Sequence, residues 1–338
     1  MAGKNRQILL AAYPVGMPKE NDFRLVETDM PTARDGEFLV RINYLSVDPY
    51  LRGIIRGRRT GEGSVEIGQL MPGRAVGTIV ESKKRGYGAG KTVAGEWGWQ
   101  EYAVSDGKDV RKVDTSVAPM PAWLGVLGMP GVTAYFGLLE IGKPKKGESV
   151  FVSGAAGAVG STVGQIAKIK GCRAAGSAGS NEKVEWLTKE LGFDAAFNYH
   201  EAGDLAAKVA EVAPGGVDLY YDNVGGPVTD AVFTKLRTGA RVVICGQIDQ
   251  YNAEDVPQGP RLLWRLLVKR ARAQGFMVFQ FGKRWNEAIA QISKWLKSGK
   301  LKHRESIVEG LENAPKAFIG LFEGRNIGKQ VVKVAGEE

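Results

Sequence analysis

Apolar positions fall into two textures along this chain. Up to about residue 120 they come in short runs at 37–44, 74–82, 92–95 and 100–104, broken by Gly, Pro and charge. That is the spacing of strands joined by turns, and it predicts a small β-barrel-like domain. Further on, short β-branched runs at 149–153, 173–177, 195–197, 217–221 and 241–245 alternate with stretches whose apolar residues recur at helical spacing. Strands alternating with helices predict an α/β domain with a parallel, doubly wound sheet. A helical stretch at 122–139 is expected to join the two. After a helix ending near Ser298, a helix at 313–322 and a strand at 330–334 lie too far from the alternating pattern to be its edge, and are expected to return to the first domain. The chain therefore divides as 1–121, 122–299 and 300–338, with no internal repeat.

Within the alternating region, 147–171 reads GESVFVSGAAGAVGSTVGQIAKIKG, a strand, a glycine turn and a helix in succession. Gly154, Gly157 and Gly160 punctuate the turn, and Val163, Ile166 and Ala167 continue at helical spacing until Gly171. In a dinucleotide site such glycines let the chain reverse, let backbone N–H groups approach a pyrophosphate, and let helix and strand pack closely. Gly157, Ala158, Val159 and Gly160 would then present the helix N-terminus to the anion. The motif is G-x-x-G-x-x-G, one residue longer in its first gap than the common form, and an ordinary βα turn can use glycines in the same way. The strands and helices that follow favour the dinucleotide reading.

The end of the second strand indicates which dinucleotide. An NAD site usually has Asp or Glu there, whereas a 2′-phosphate repels a carboxylate and needs donors and positive charge. Here the segment is SAGSNEK, with Ser177 and Ser180 as donors and Lys183 in the first turn of the next helix. Lysine at a helix start opposes the macrodipole, so an anion that offsets the cost is expected. NADPH/NADP+ is the expected cofactor.

Composition narrows the classes. Apolar residues make up 43% and charged residues 25%, as in ordinary globular proteins. No apolar run is long enough to span a bilayer and the N-terminal residues lack a signal-peptide core, so no membrane partner is expected and the expected location is cytoplasmic. Cys172 and Cys245 are the only cysteines and His200 and His303 the only histidines, too few for a zinc site or a disulfide scaffold. Both thiols are expected to be buried and structural. The net charge of +9 raises the question of nucleic acid, and the basic residues are densest from Arg261 to Arg272. However, Leu262, Leu263, Leu266 and Leu267 recur at helical spacing there, which predicts a core-facing helix with a solvated basic face. A nucleotide-responsive RNA-binding protein is the alternative from a different class.

The order of domains, and the strings SVDPYLR (46–52), GAAGAVG (154–160), YDNVGG (221–226), CGQIDQY (245–251) and NIGK (326–329), resemble the medium-chain dehydrogenase/reductase superfamily. Within it they look like the zinc-independent double-bond reductases, the group of prostaglandin, plant alkenal and bacterial curcumin reductases. The resemblance covers essentially the whole chain. It implies a GroES-like domain beside the Rossmann domain, a homodimer, and NADPH-dependent reduction of the carbon–carbon double bond of α,β-unsaturated ketones and aldehydes. Enones, alkenals, and curcumin- or 15-oxoprostaglandin-like molecules are the substrate classes implied, with a quinone reductase as the near alternative. Where zinc-dependent members carry Gly-His-Glu, this chain has Gly73-Arg74-Ala75.

Without a Lewis acid, the substrate carbonyl must be polarised by hydrogen-bond donors as an enolate develops, and a tyrosine hydroxyl can serve. The resemblance places two tyrosines at the active site, Tyr251 and Tyr50, and leaves Arg52 a structural role. It also implies cofactor contacts from Tyr199, Asn223, Cys245, Gly246, Gln247, Ile248, Phe276, Met277, Val278 and Asn326. Trp97, Trp99, Phe276, Met277 and Phe279 are expected to wall the substrate site, with Trp264 a further candidate, and His200 is expected at the surface.

Overall fold

The computed structural model describes residues 3–57, 64–108 and 110–336. Its contacts divide the chain into two units, one of Met1–Leu124 with Glu305–Glu338 and one of Gly125–Arg304. The first unit begins with β1 (Lys4–Leu10) and β2 (Phe23–Asp29), an antiparallel pair, followed by β3 (Phe38–Ser46), α1 (Leu51–Ile54), β4 (Arg74–Ser82), β5 (Thr92–Glu96), β6 (Tyr102–Ser105) and β7 (Arg111–Lys112). Eight of the nine β3 residues are buried, because β3 pairs with β4 and β6 and carries core side chains on both faces.

The second unit contains α2 (Met129–Phe136), β8 (Ser149–Val152), α3 (Ala158–Ile169), β9 (Arg173–Ala178), α4 (Asn181–Glu185), β10 (Ala195–Asn198) and α5 (Leu205–Val212). It continues with β11 (Val217–Asp222), α6 (Gly226–Thr234), β12 (Leu236–Ile244), α7 (Leu263–Lys269), β13 (Arg272–Gly275) and α8 (Trp285–Lys297). The six strands lie in the order β10-β9-β8-β11-β12-β13, all parallel. The sheet starts at its middle and winds outward twice, the doubly wound order in which ligands bind where the strand order reverses, between β8 and β11. The returning segment adds β14 (Glu305–Glu309), α9 (Ala314–Phe322) and β15 (Lys329–Lys333) to the first unit, where β15 lies between β14 and β3.

Two sequence expectations fail here for local reasons. The helix expected over 122–139 is broken: Met120–Trp123 is a 3-10 turn, and α2 starts only after Gly128, with Pro130 inside its first turn. Gly125, Gly128 and Pro130 interrupt the helical ladder that the apolar spacing suggested. The Arg261–Arg272 stretch is helical but not core-facing as a whole. Leu262 and Leu266 pack on the core, while Leu263, Trp264, Leu267 and Val268 are exposed, Leu263 at 76% and Leu267 at 78%. The apolar residues come in two runs of three, 262–264 and 266–268, and three successive residues spread over most of a helix circumference and cannot all lie on one face.

Trp97 and Trp99 also differ from expectation. Trp99 has no exposed surface; it stacks on Phe23 at 5.8 Å and meets Phe318 edge-on at 5.9 Å. Trp97 is buried in the same cluster. Both belong to the core of the first unit; Trp99 walls no open site, while Trp97 also lines a surface cavity of about 460 Å³ with Asn5, Gln7 and Gln100.

Candidate functional site

At the switch point, the β8 strand runs into Ser153 and Gly154, whose φ of 57° allows the chain to reverse. Gly157 then caps α3 without any side-chain cap, so the N–H groups of its first turn have no side-chain acceptor. Gly160 is obligatory on packing grounds, since a Cβ there would lie 2.4 Å from the Gly154 carbonyl oxygen and 2.8 Å from the Ala155 Cα. The turn is also tied to the next strand, because Ala155 N–H donates to the Ser177 carbonyl at 2.9 Å. Gly157, Ala158, Val159 and Gly160 are therefore gathered at one helix N-terminus, a backbone arrangement that suits a diphosphate.

The end of β9, tied to this turn by the Ala155–Ser177 bond, and the start of α4 carry the polar candidates. The Ser177 hydroxyl is buried with no hydrogen-bond partner in the structure. Ser180 caps α4, its side chain accepting the Lys183 N–H at 3.3 Å. Lys183 itself is 8% exposed, so it is not the solvated surface lysine that its helix position would allow, and burial pulls its pKa below the ordinary lysine value. The Tyr199 hydroxyl closes the corner, lying 3.0 Å from where a Cβ of Gly179 would stand. Burial, with Asp249 adding to it, raises the Tyr199 pKa, so its hydroxyl stays protonated at neutral pH. His200 is exposed, with its ring against that of Tyr199.

On the other side of the switch point the organising residue is Asp222, which the sequence reading did not single out. Its buried carboxylate accepts from the hydroxyls of Ser153, Tyr220 and Thr229, from the N–H groups of Val224 and Gly225, and from the Gln247 amide at 2.8 Å. These donors join the end of β8, the turn after β11 and the loop after β12. The sequence signal was a charged residue closing an apolar strand before Gly-Gly. Asn223 donates through its amide to the Ser153 carbonyl at 2.8 Å, so its remaining side-chain oxygen is what it can offer a ligand. Gln247 likewise spends its amide on Asp222 and the Gly246 carbonyl.

The loop holding Cys245, Gly246, Gln247, Ile248 and Tyr251 turns back on itself. Gln247 N–H donates to the Tyr251 hydroxyl at 3.3 Å, which sets the phenol beside Gly246 and lets the hydroxyl donate in turn. Burial pushes the Cys245 thiol up to about 12 and the Cys172 thiol to about 11, so neither is a nucleophile at neutral pH. After β13, Phe276 packs over Gly137, where a Cβ would come within 2.5 Å of its ring, and Val278 is buried. Met277 and Phe279 stand out at 50% and 55% exposure, an apolar pair in the open. Trp264 lies on the exposed face of α7 with the Arg265 guanidinium 4.2 Å from its ring centre.

The remaining candidates belong to the first unit. Tyr50 is the residue that starts α1 and is partly buried against the core. Arg52 donates to the Pro14 and Gly16 carbonyls at 3.1 and 2.8 Å, a structural role, and burial lowers its pKa. Asn326 sits in the turn before β15, its amide on the Gly328 carbonyl at 2.8 Å.

Residues 6–113 match the family described as the N-terminal domain of oxidoreductases, and residues 158–294 match the family described as zinc-binding dehydrogenase. The residues present do not fit the metal in that description, since no three His, Cys, Asp or Glu side chains come together among the described residues. The chain is 46% identical to an NADPH-dependent curcumin reductase of Escherichia coli over 99% of its length and 98% of that protein. It is 41% identical to an NADP(+)-dependent 2-alkenal reductase of Nicotiana tabacum, covering 98% of each. Among solved structures, CurA of Vibrio vulnificus in complex with NADPH is 46% identical with a TM-score of 0.93, covering 98% of this chain and all of that one.

Proposed function

Because the chain belongs to the zinc-independent double-bond reductases of the medium-chain dehydrogenase/reductase superfamily, we propose that it reduces the carbon–carbon double bond of α,β-unsaturated ketones and aldehydes with NADPH. The observation that carries this reading is the polar corner of Ser177, Ser180 and Lys183 beside an uncapped helix N-terminus, which suits a 2′-phosphorylated dinucleotide. NADPH, when bound, supplies the hydride.

The chain's own groups hold the cofactor and manage the developing charge. The N-terminal turn of α3 carries the diphosphate, Ser180 and Lys183 the 2′-phosphate, and Tyr199 the adjoining ribose. Asn223 and the loop from Cys245 to Tyr251 surround the nicotinamide side, with the backbone of Phe276, Met277 and Val278 toward its carboxamide, and Asn326 is a further cofactor residue in this reading. Tyr251 and Tyr50 donate to the substrate carbonyl oxygen as negative charge collects there, which lowers the barrier because the donors are already oriented. Met277 and Phe279 offer apolar surface to the substrate.

NADPH oxidation measured with a panel of enones, alkenals and quinones is expected to show turnover with enones and alkenals, unchanged by prolonged chelation. Turnover with quinones alone would make the chain a quinone reductase. Loss on chelation with recovery on added zinc would overturn the metal-independent chemistry, and salt-sensitive RNA binding without any turnover would favour the nucleic-acid class.

The chain acts as a homodimer in this reading. Strand β13 ends the parallel sheet with all four residues exposed, and the apolar face of α7 lies in the same unit. An unpaired strand edge is a template for a second copy of itself. Sedimentation at micromolar concentration is expected to return twice the chain mass; a monomer would sink the assignment. Two cysteines outside any disulfide suit a reducing compartment, and the cytoplasm is the proposed location.

A further inference from the structure

The ion pair of Lys329 and Asp48 takes no part in the chemistry above, yet it lies two residues from Tyr50. The Lys329 ammonium donates to the Val47 carbonyl at 2.8 Å and to the Asp48 carboxylate at 2.9 Å, and the two side chains are 5% and 8% exposed. The other carboxylate oxygen of Asp48 accepts the Ser46 hydroxyl. Strand register explains the meeting: β15 runs antiparallel to β3 with Val331 opposite Ser46, so two residues along Lys329 falls opposite Asp48.

Removing both charges from water makes such a pair a weak source of stability, and its best-attested use is to fix one conformation. Here both acceptors of Lys329 belong to the segment leading into Tyr50. Pro49 fixes its own φ, and the first turn of α1 is hydrogen-bonded from Leu51 N–H to the Asp48 carbonyl at 3.2 Å and from Gly53 N–H to the Tyr50 carbonyl at 2.9 Å. The orientation of Asp48 is thereby passed to Tyr50. From the far side Arg52 ties the same turn to Pro14 and Gly16.

We propose that Lys329, acting through Asp48, is the positioning residue that aims the Tyr50 hydroxyl at the substrate carbonyl. This rests on the reading of Tyr50 as a donor. The test is a double-mutant cycle of Lys329→Met and Tyr50→Phe, followed by kcat at saturating substrate and by NADPH titration. Each single variant is expected to lower kcat about ten-fold and the double variant to fall within about two-fold of either, because an unaimed hydroxyl has little left to lose. NADPH affinity is expected to stay within about two-fold of the native value in all three.

If Tyr50→Phe alone leaves kcat unchanged, the role of Tyr50 fails and the positioning role with it. If Tyr50→Phe lowers kcat but the losses multiply, positioning alone is overturned. A weakened NADPH in Lys329→Met overturns it too, because the effect would then run through the neighbouring Asn326 turn. Should Lys329→Met not fold, Asp48→Ala and Asp48→Asn enter the same cycle. Asparagine keeps an oxygen for Lys329 and is expected to restore kcat to within about three-fold of native, whereas alanine is not.

Discussion

Lys183→Ala is expected to weaken NADPH binding roughly ten-fold to a hundred-fold while leaving NADH binding nearly unchanged, as read by titrating each cofactor against the protein. A charge-assisted bond to phosphate is worth about 1.5–3 kcal/mol, which sets that range. The structure sharpens the expectation, because Lys183 is largely buried before any ligand arrives and burial lowers its pKa. Little further desolvation is needed when the 2′-phosphate docks. The pH dependence has a definite sign. Burial lowers the lysine's pKa, so raising the pH through that lowered value removes the ammonium, and NADPH affinity falls while NADH affinity does not. Equal losses of both cofactors in Lys183→Ala would show that the side chain supports the fold and does not read the phosphate.

Tyr251→Phe is expected to lower kcat roughly ten-fold to a hundred-fold with NADPH affinity nearly unchanged. Removing one oxyanion donor typically costs about 2.7–4 kcal/mol, and a second donor at the same oxygen reduces that loss. The hydroxyl also accepts the Gln247 N–H at 3.3 Å, so phenylalanine takes away an acceptor as well as a donor. Steady-state kinetics separate the two roles. A fall in kcat alone identifies an interaction that strengthens in the transition state, whereas a fall in cofactor affinity with kcat intact identifies a loop contact.

The glycine turn and the alternating strands were legible in the sequence because both are local. The strand runs carry β-branched residues, and the glycines sit where backbone must approach backbone, as Gly160 does against Gly154. Trp99 was misread because an aromatic beside a turn has no local mark of whether it faces a ligand or a core; Phe23 and Phe318, far away in sequence, decide it. Asp222 shows the opposite limit. Its role depends on donors from three loops that only the folded sheet assembles, and no spacing in the chain predicts them. The same holds for Lys329, which meets Asp48 across 281 residues. The direction of the α7 face was missed because two successive runs of three apolar residues, 262–264 and 266–268, give no single helical phase.

The first unit is assembled from both ends of the chain, with β14 and β15 completing a sheet whose other strands lie before residue 125. On a ribosome the early strands therefore emerge long before their last partner, while the nucleotide-binding unit is continuous and can fold in one piece as soon as it is out. Until β15 arrives, the Val331 edge of β3 has no neighbour and Asp48 has no ammonium. The nascent protein would thus complete its nucleotide-binding unit first and its aimed Tyr50 last, so a chain released early would keep the dinucleotide fold but lack the strand that positions this donor.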